Sequence, residues 1–232
     1  MVDLTIIYIT ANKMPAAWMD YQTSMLLLVA SKGVPIISIS REPMRLGTNF
    51  VEHEPHGYWN IYRQLCYGAR QATTQYVAMC EDDTLYPLQH FTEYAPQENA
   101  VSYNRARWSL FAWEKRPVYC LRERVSNCTL IAPRDLVISA IQERLDKYPD
   151  GDTMPQTFVG EIGRRRVEKG LKVTRRKSHE WCSTVPVVQL NHPHGIDARQ
   201  RAQHKRHAKV KAYDIPYWGK AEDIVAKYNA TT

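Results

Sequence analysis

The apolar positions of this chain form two kinds of run, short continuous ones and longer ones that recur every three or four residues. Leu4-Thr5-Ile6-Ile7-Tyr8-Ile9-Thr10 is continuous and β-branched, and it stops at the polar Ala11-Asn12-Lys13. Such a run without alternation predicts a strand buried on both faces and ending in a turn. Residues 16–32 carry Trp18, Tyr21, Met25, Leu28 and Val29 at helical spacing, and Gly33 supplies the stop. Val34 to Ser40 predicts a second strand. Residues 58–72 predict a second helix, with Trp59, Tyr62, Leu65, Cys66 and Ala69 on one side, and Tyr76 to Cys80 a third strand. Three strands alternating with two helices make a βαβαβ unit, hence an α/β fold with a mainly parallel sheet and right-handed crossovers. Sheets of that kind place ligands at the carboxyl ends of their strands. Here those ends are Thr10–Lys13, Ser40–Glu42 and Glu81–Asp83.

Beyond residue 100 the pattern is less regular. Val101–Tyr103 and Val118–Cys120 predict strands of a mixed sheet, and residues 133–148 a helix burying Leu136, Val137, Ala140, Ile141 and Leu145. A loop over 149–157, a helix from about 158 to 170, a strand near 185–190 and a basic tail complete the expectation. The 232 residues suit one compact domain, with a core over 1–162 and an appended C-terminal segment over 163–232. Met25 to Ala30, the longest apolar run, is too short to cross a bilayer. Asp3 stands where a signal peptide would be basic. Five cysteines at irregular spacing, with no CxxC pair, argue against a disulfide framework or zinc ribbon. A cytoplasmic protein is expected.

Glu81-Asp82-Asp83 is the sharpest feature. Three adjacent carboxylates at the end of a buried strand repel one another unless a cation neutralises them. Oxygen ligands suit a hard divalent ion such as Mg²⁺ or Mn²⁺, which keeps positions open for substrate phosphates. In extended backbone residues i and i+2 point the same way, so Glu81 and Asp83 share a face and Asp82 points elsewhere.

That strand and triplet, followed by Thr84-Leu85-Tyr86-Pro87, resemble the metal motif of GT-A-fold nucleotide-sugar glycosyltransferases. Ile6 to Asn12 resembles the family's first nucleotide-binding strand. Pro35 to Pro43, Leu46 to Asn49, Asn60 to Ala69, Tyr76 to Pro87, His90-Phe91 and Tyr103-Asn104 resemble a small bacterial and phage subgroup. The resemblance covers residues 1–145 and is loose beyond. It implies a GT-A, Rossmann-like sheet flanked by helices and a UDP-sugar donor held with Mn²⁺ or Mg²⁺. Asp83 would bind the metal, and Glu81 would bind it directly or through water while reaching the ribose. Thr10 and Asn12 would meet the nucleotide, with Ser40 and Arg41 at the neighbouring strand end, and Arg63 would face the donor's base or phosphates. A late histidine would complete the metal shell, either His192 or His194, with Gly195 beside the donor. Catalytic roles fall to Asp82 and to Glu161, which glycines flank and which an inverting enzyme would use as base. A retaining enzyme would need no such base.

Charge enters last and bears on the acceptor. The chain carries +7 overall, but residues 163–211 hold 14 Lys and Arg against 3 Asp and Glu, a local +11, while the remainder is net acidic. Arg164, Arg165, Arg166, Arg175, Arg176, Lys177, Arg199, Arg201, Lys205 and Arg206 make a surface suited to a polyanion, and nucleic acid fits best. Trp108, Trp113, Trp181, Tyr213, Tyr217 and Trp218 could stack on an extruded base. With the resemblance, this gives glucosylation of 5-hydroxymethylcytosine in phage DNA as the expected reaction. A glycosyltransferase acting on a surface polysaccharide or lipid-linked glycan is the alternative. A metal-dependent nucleic-acid-binding protein or nuclease is a third, but no second acidic partner stands at nuclease-like spacing.

Overall fold

Leu4–Ile9 forms the strand its apolar run predicts, buried at all six residues. The computed structural model describes residues 2–55, 57–151, 153–195 and 209–230. The first half runs β1 (Leu4–Ile9), α1 (Ala16–Ala30), β2 (Ile36–Ser40), β3 (Thr48–Val51), α2 (Tyr58–Gln71), β4 (Tyr76–Glu81), β5 (Thr84–Leu85) and α3 (Gln89–Thr92). It continues through β6 (Ala100–Asn104), β7 (Arg107–Phe111), β8 (Tyr119–Leu121), β9 (Leu130–Pro133), α4 (Arg134–Lys147), α5 (Arg165–Leu171), β10 (Lys177–Trp181) and β11 (Val187–Asn191). The chain ends in β12 (Lys211–Ala212), β13 (Asp214–Ile215), β14 (Gly219–Lys220) and α6 (Ala221–Asn229).

Seven strands form the main sheet in the order β10-β6-β9-β4-β1-β2-β3. β1 pairs in parallel with both β2 and β4, as the βαβαβ reading requires, and only β9 runs against its neighbours. Side chains alternate between the two faces. Ile7, Ile9, Ile37, Ile39, Val77 and Met79 pack under α2 and α4, whereas Ile6, Tyr8, Ile36, Ala78 and Cys80 pack with Leu26 and Val29 of α1. A second sheet, ordered β12-β8-β7-β11-β5, lays Leu110, Val188 and Leu190 against Trp18 of α1 and Ile224, Val225 and Tyr228 of α6. No helix among the described residues is long and apolar enough to cross a membrane. All five cysteines are free, and only Cys182 is exposed.

Four expectations change. The helix expected over 158–170 is a 3-10 turn at 156–158, an irregular stretch and then α5, because Gly163 sits at φ +79° and a helix cannot pass through that conformation. The strand expected over Val118–Cys120 runs over Tyr119–Leu121 and belongs to the second sheet, not to the one holding Val101–Tyr103. The C-terminal segment is not a simple appendage, since β10 edges the main sheet, β11 runs inside the second, and α6 packs on α1. Finally, α1 buries Trp18, Gln22, Leu26 and Val29 and leaves Leu28 53% exposed, so its inward stripe runs through a glutamine.

Candidate active site

Ile9 lies opposite Glu81 where β1 and β4 pair, so the turns that follow these two strands meet. The Thr10 hydroxyl donates to Asp82 Oδ2 at 2.6 Å and accepts from the Asn12 backbone N–H at 2.9 Å. Asn12 takes φ +53°, a conformation asparagine tolerates, and its Oδ1 receives the backbone N–H groups of Arg41 and Glu42. The ends of β1, β2 and β4 are thereby tied into one rim.

The acidic turn itself hangs from α1. Gln22, fully buried, donates from Nε2 to the carbonyls of Glu81 and Thr84 at 2.7 and 2.8 Å, and its Oε1 accepts from the Tyr8 hydroxyl at 2.7 Å. Trp18 Nε1 donates to the Asp82 carbonyl at 2.7 Å. From the other side, the Tyr86 hydroxyl accepts the Glu81 backbone N–H at 2.9 Å. Buried backbone groups at so sharp a bend would otherwise lack partners, which accounts for the polar residue in the helix's inward stripe. Asp83 is held directly: Thr84 Oγ1 donates to its Oδ1 at 2.6 Å, Gln189 Nε2 donates to its Oδ2 at 3.2 Å, and its carbonyl accepts the Leu190 N–H.

One cleft opens over this turn. Thr10, Lys13 and Arg41 line it on one side, Tyr58, Asn60 and Gln64 of α2 on another, Trp113, Gln189, Asn191, His192, His194 and Gly195 on a third, and the three acidic residues form its floor. Thr10, Arg41, Glu81, Asp82, Asp83, His192, His194 and Gly195, all picked from sequence, are thus brought together. The carboxylates are chemically suited to Mn²⁺ or Mg²⁺, whereas the imidazoles suit softer transition-metal ions and would not favour Mg²⁺. Among the described residues, no group of three His, Cys, Asp or Glu side chains is placed to hold a metal ion.

Other candidates are placed elsewhere. Ser40 Oγ donates to the Glu42 carbonyl and accepts from Asn49, which makes it part of the rim's internal bonding. Arg63 bonds Glu54 and the Pro149 carbonyl and does not line the cleft. Glu161 lies outside the lining as well, with its carboxylate 3.1 Å from Arg164. Arg176 is paired with Glu143, while Arg165, Arg166, Arg175 and Lys177 are exposed. The register sets Ser102 level with Ala78 across β9, so Lys177, opposite Ala100, lies at the end of the sheet away from Glu81. Arg199, Arg201, Lys205 and Arg206 lie outside the described residues. Trp113, expected to stack on a base, does line the cleft; Trp18 was read only as a core position, and Gln22, Arg107 and Gln189 escaped the sequence reading. Of these, only Gln22 left a trace, as a polar residue midway between Trp18 and Leu26.

Burial pushes the Asp82 carboxyl up to about 7; Asp83 adds to the shift, and the Thr10 hydroxyl and Ala11 N–H oppose it. A raised carboxyl pKa means that the folded chain keeps a proton which the unfolded chain releases near pH 4. In the metal-free protein, stability should therefore fall as pH rises from about 4 to 7 and level off above. Urea titrations across that range check this, and Asp82→Asn should flatten the decline.

No protein-family model matches this chain, and no curated protein is similar to it in sequence. Among solved structures it is similar to a glycosyltransferase involved in glycosylation of the major capsid of PBCV-1, at 12% identity over 87% of this chain and 97% of that one, with a TM-score of 0.49. It is also similar to the mannosyltransferase PcManGT from Pyrobaculum calidifontis in complex with GDP-Man and Mn²⁺, at 13% identity, 97% and 68% coverage and a TM-score of 0.45. HddC from Yersinia pseudotuberculosis matches at 10% identity, 87% and 96% coverage and a TM-score of 0.44.

Proposed function

We propose that this protein is a metal-dependent glycosyltransferase that moves glucose from a UDP-sugar to an acceptor hydroxyl, and that the acceptor is 5-hydroxymethylcytosine in DNA. The observation that carries the transferase reading is the acidic turn at the carboxyl end of a parallel sheet, mounted from beneath by α1 and open above to a cleft with two histidines. Asp83 and Glu81, with His192 or His194, would hold the ion, and Thr10, Lys13 and Arg41 would border the nucleotide. The ion's chemistry there is to offset the charge of the leaving diphosphate. Among the described lining residues the triplet supplies the only carboxylates. A proton acceptor for the incoming hydroxyl would come from the triplet, from whichever of His192 and His194 does not hold the ion, or from the donor's own phosphate.

The DNA acceptor is supported by charge, the local +11 over residues 163–211. One observation favours the other acceptor, a polysaccharide or lipid-linked glycan: the described cations at 164–166 and 175–177 do not border the cleft. Mass spectrometry separates the two. Hydroxymethylcytosine DNA incubated with the protein, Mn²⁺ and UDP-glucose should gain one hexose per modified base. Absence of a mass shift with UDP-glucose and with every other UDP-sugar, while UDP is still released in the presence of a glycan, overturns the DNA acceptor and leaves the transferase.

A further inference from the structure

Arg107 is a cation where none is expected. It is 6% exposed, at the start of β7, and no carboxylate lies within ion-pairing distance of it among the described residues. A buried guanidinium without a counter-ion is costly unless its donors are used. Two are. Nη1 donates to Gln189 Oε1 at 2.6 Å, and Nη2 donates to the Arg124 carbonyl at 3.0 Å. The same Gln189 amide donates from Nε2 to Asp83 Oδ2.

The chemistry of the three groups fixes their order. A guanidinium only donates, so the amide oxygen of Gln189 must face Arg107 and its NH₂ must face Asp83. Reversing the amide would set NH₂ against guanidinium and oxygen against carboxylate. Strand geometry delivers the group to that spot: Val188 and Leu190 point into the second sheet's core, so Gln189 between them points the other way, toward the cleft. With Thr84 on Oδ1 and Gln189 on Oδ2, each Asp83 oxygen is held by one fixed donor. Acceptor capacity remains on both oxygens.

We infer that Arg107 and Gln189 form a positioning pair that sets the direction of the Asp83 carboxylate, Arg107 acting only through Gln189. The inference rests on the reading of Asp83 as a metal ligand. Outer partners of a ligating carboxylate typically change metal affinity by about 10–100-fold when removed. The pair also joins the two sheets through the floor of the cleft, since Asp83 follows a main-sheet strand while Gln189 and Arg107 belong to the second sheet.

The test measures Mn²⁺ alone, by the paramagnetic resonance signal of the free ion, at a temperature where thermal melts show each variant folded. Gln189→Met should raise the Mn²⁺ dissociation constant about 10–100-fold. Arg107→Met, which does not touch Asp83, should raise it comparably, and the double variant should be no worse than Gln189→Met by itself. If Arg107→Met does not fold, Arg107→Lys keeps the charge but loses the planar fork, and it should still weaken binding several-fold. Wild-type affinity in Gln189→Met or in the Arg107 variant overturns the pair, as do losses that simply multiply in the double variant. Failure of the metal reading has a different signature, namely Mn²⁺ binding that Asp83→Ala leaves unchanged, and the positioning role falls with it.

Discussion

Replacing Asp83 with alanine should lower Mn²⁺-dependent release of UDP from a UDP-sugar on the order of 10³-fold, with the protein still folded. Asp83 would hold the cation that offsets the leaving group's charge, and loss of one stabiliser of developing charge typically costs about 10²–10³-fold. The side chain stands at the mouth of β4, where the strand's apolar run gives out, and it makes two side-chain hydrogen bonds, to Thr84 and Gln189. Its removal relieves repulsion within the triplet, so little stability should be lost. The measurement is a coupled assay of UDP release across a Mn²⁺ titration, beside a thermal melt. A variant that stays within tenfold of the wild-type rate at saturating Mn²⁺ would show that the working ion is held elsewhere in the cleft.

Gln22→Leu should have the largest effect on the fold. Leucine matches the position's neighbours Trp18 and Leu26 in character and comes close to the lost volume. It nevertheless strands the Glu81 and Thr84 carbonyls, which bond the Gln22 amide, and leaves the Tyr8 hydroxyl only the weak Met19 sulfur contact. Each buried polar group left without a partner costs about 1–3 kcal/mol, so a loss of 3 kcal/mol or more is expected, read from the urea midpoint. Sugar transfer should fall even where the variant remains folded, because the turn would settle into a different shape. Leu28→Ser, on the exposed side of the same helix, should stay within about 0.5 kcal/mol of wild type. If the two substitutions cost the same, α1 is a packing element and not the mount of the acidic turn.

The parts of the molecule that sequence made legible share a cause. β1, β2 and β4 are central strands buried on both faces, so their residues are continuously apolar and stand out. β3 and β10 are edge strands, and sequences such as Thr48-Asn49-Phe50-Val51 and Lys177-Ser178-His179-Glu180-Trp181 read as loop because solvent covers one edge. β5, β12, β13 and β14 are two residues each, too short for any periodicity. In the site, Glu81 to Asp83 was visible because charge follows a buried run without a break. Gln22, Arg107 and Gln189 were not, since each looks like an ordinary residue until the fold brings Gln22 and Gln189 to the acidic turn, 59 and 106 positions away, and Arg107 to Gln189, 82 positions away. Asn12 and Ser40 were placed at the right strand ends, but their polar atoms bond the rim itself. Arg63 and Glu161 have chemistry suited to a nucleotide-sugar site, but neither lines the cleft.

The mount described above also divides the cleft's residues by how freely they can vary. Trp18, Gln22, Thr84, Gln189 and Arg107 are each committed to a partner whose loss would misplace the acidic turn. Lys13 and Trp113 and the side chain of Arg41 border the opening on loops, away from the bonds that mount the turn. New acceptor or donor preferences can therefore be sought by randomising the second group while the first is held constant. On the proposed function, chemistry and selectivity would then fall to separate sets of positions, and a library built on this division should yield altered substrates without a matching rise in unfolded variants.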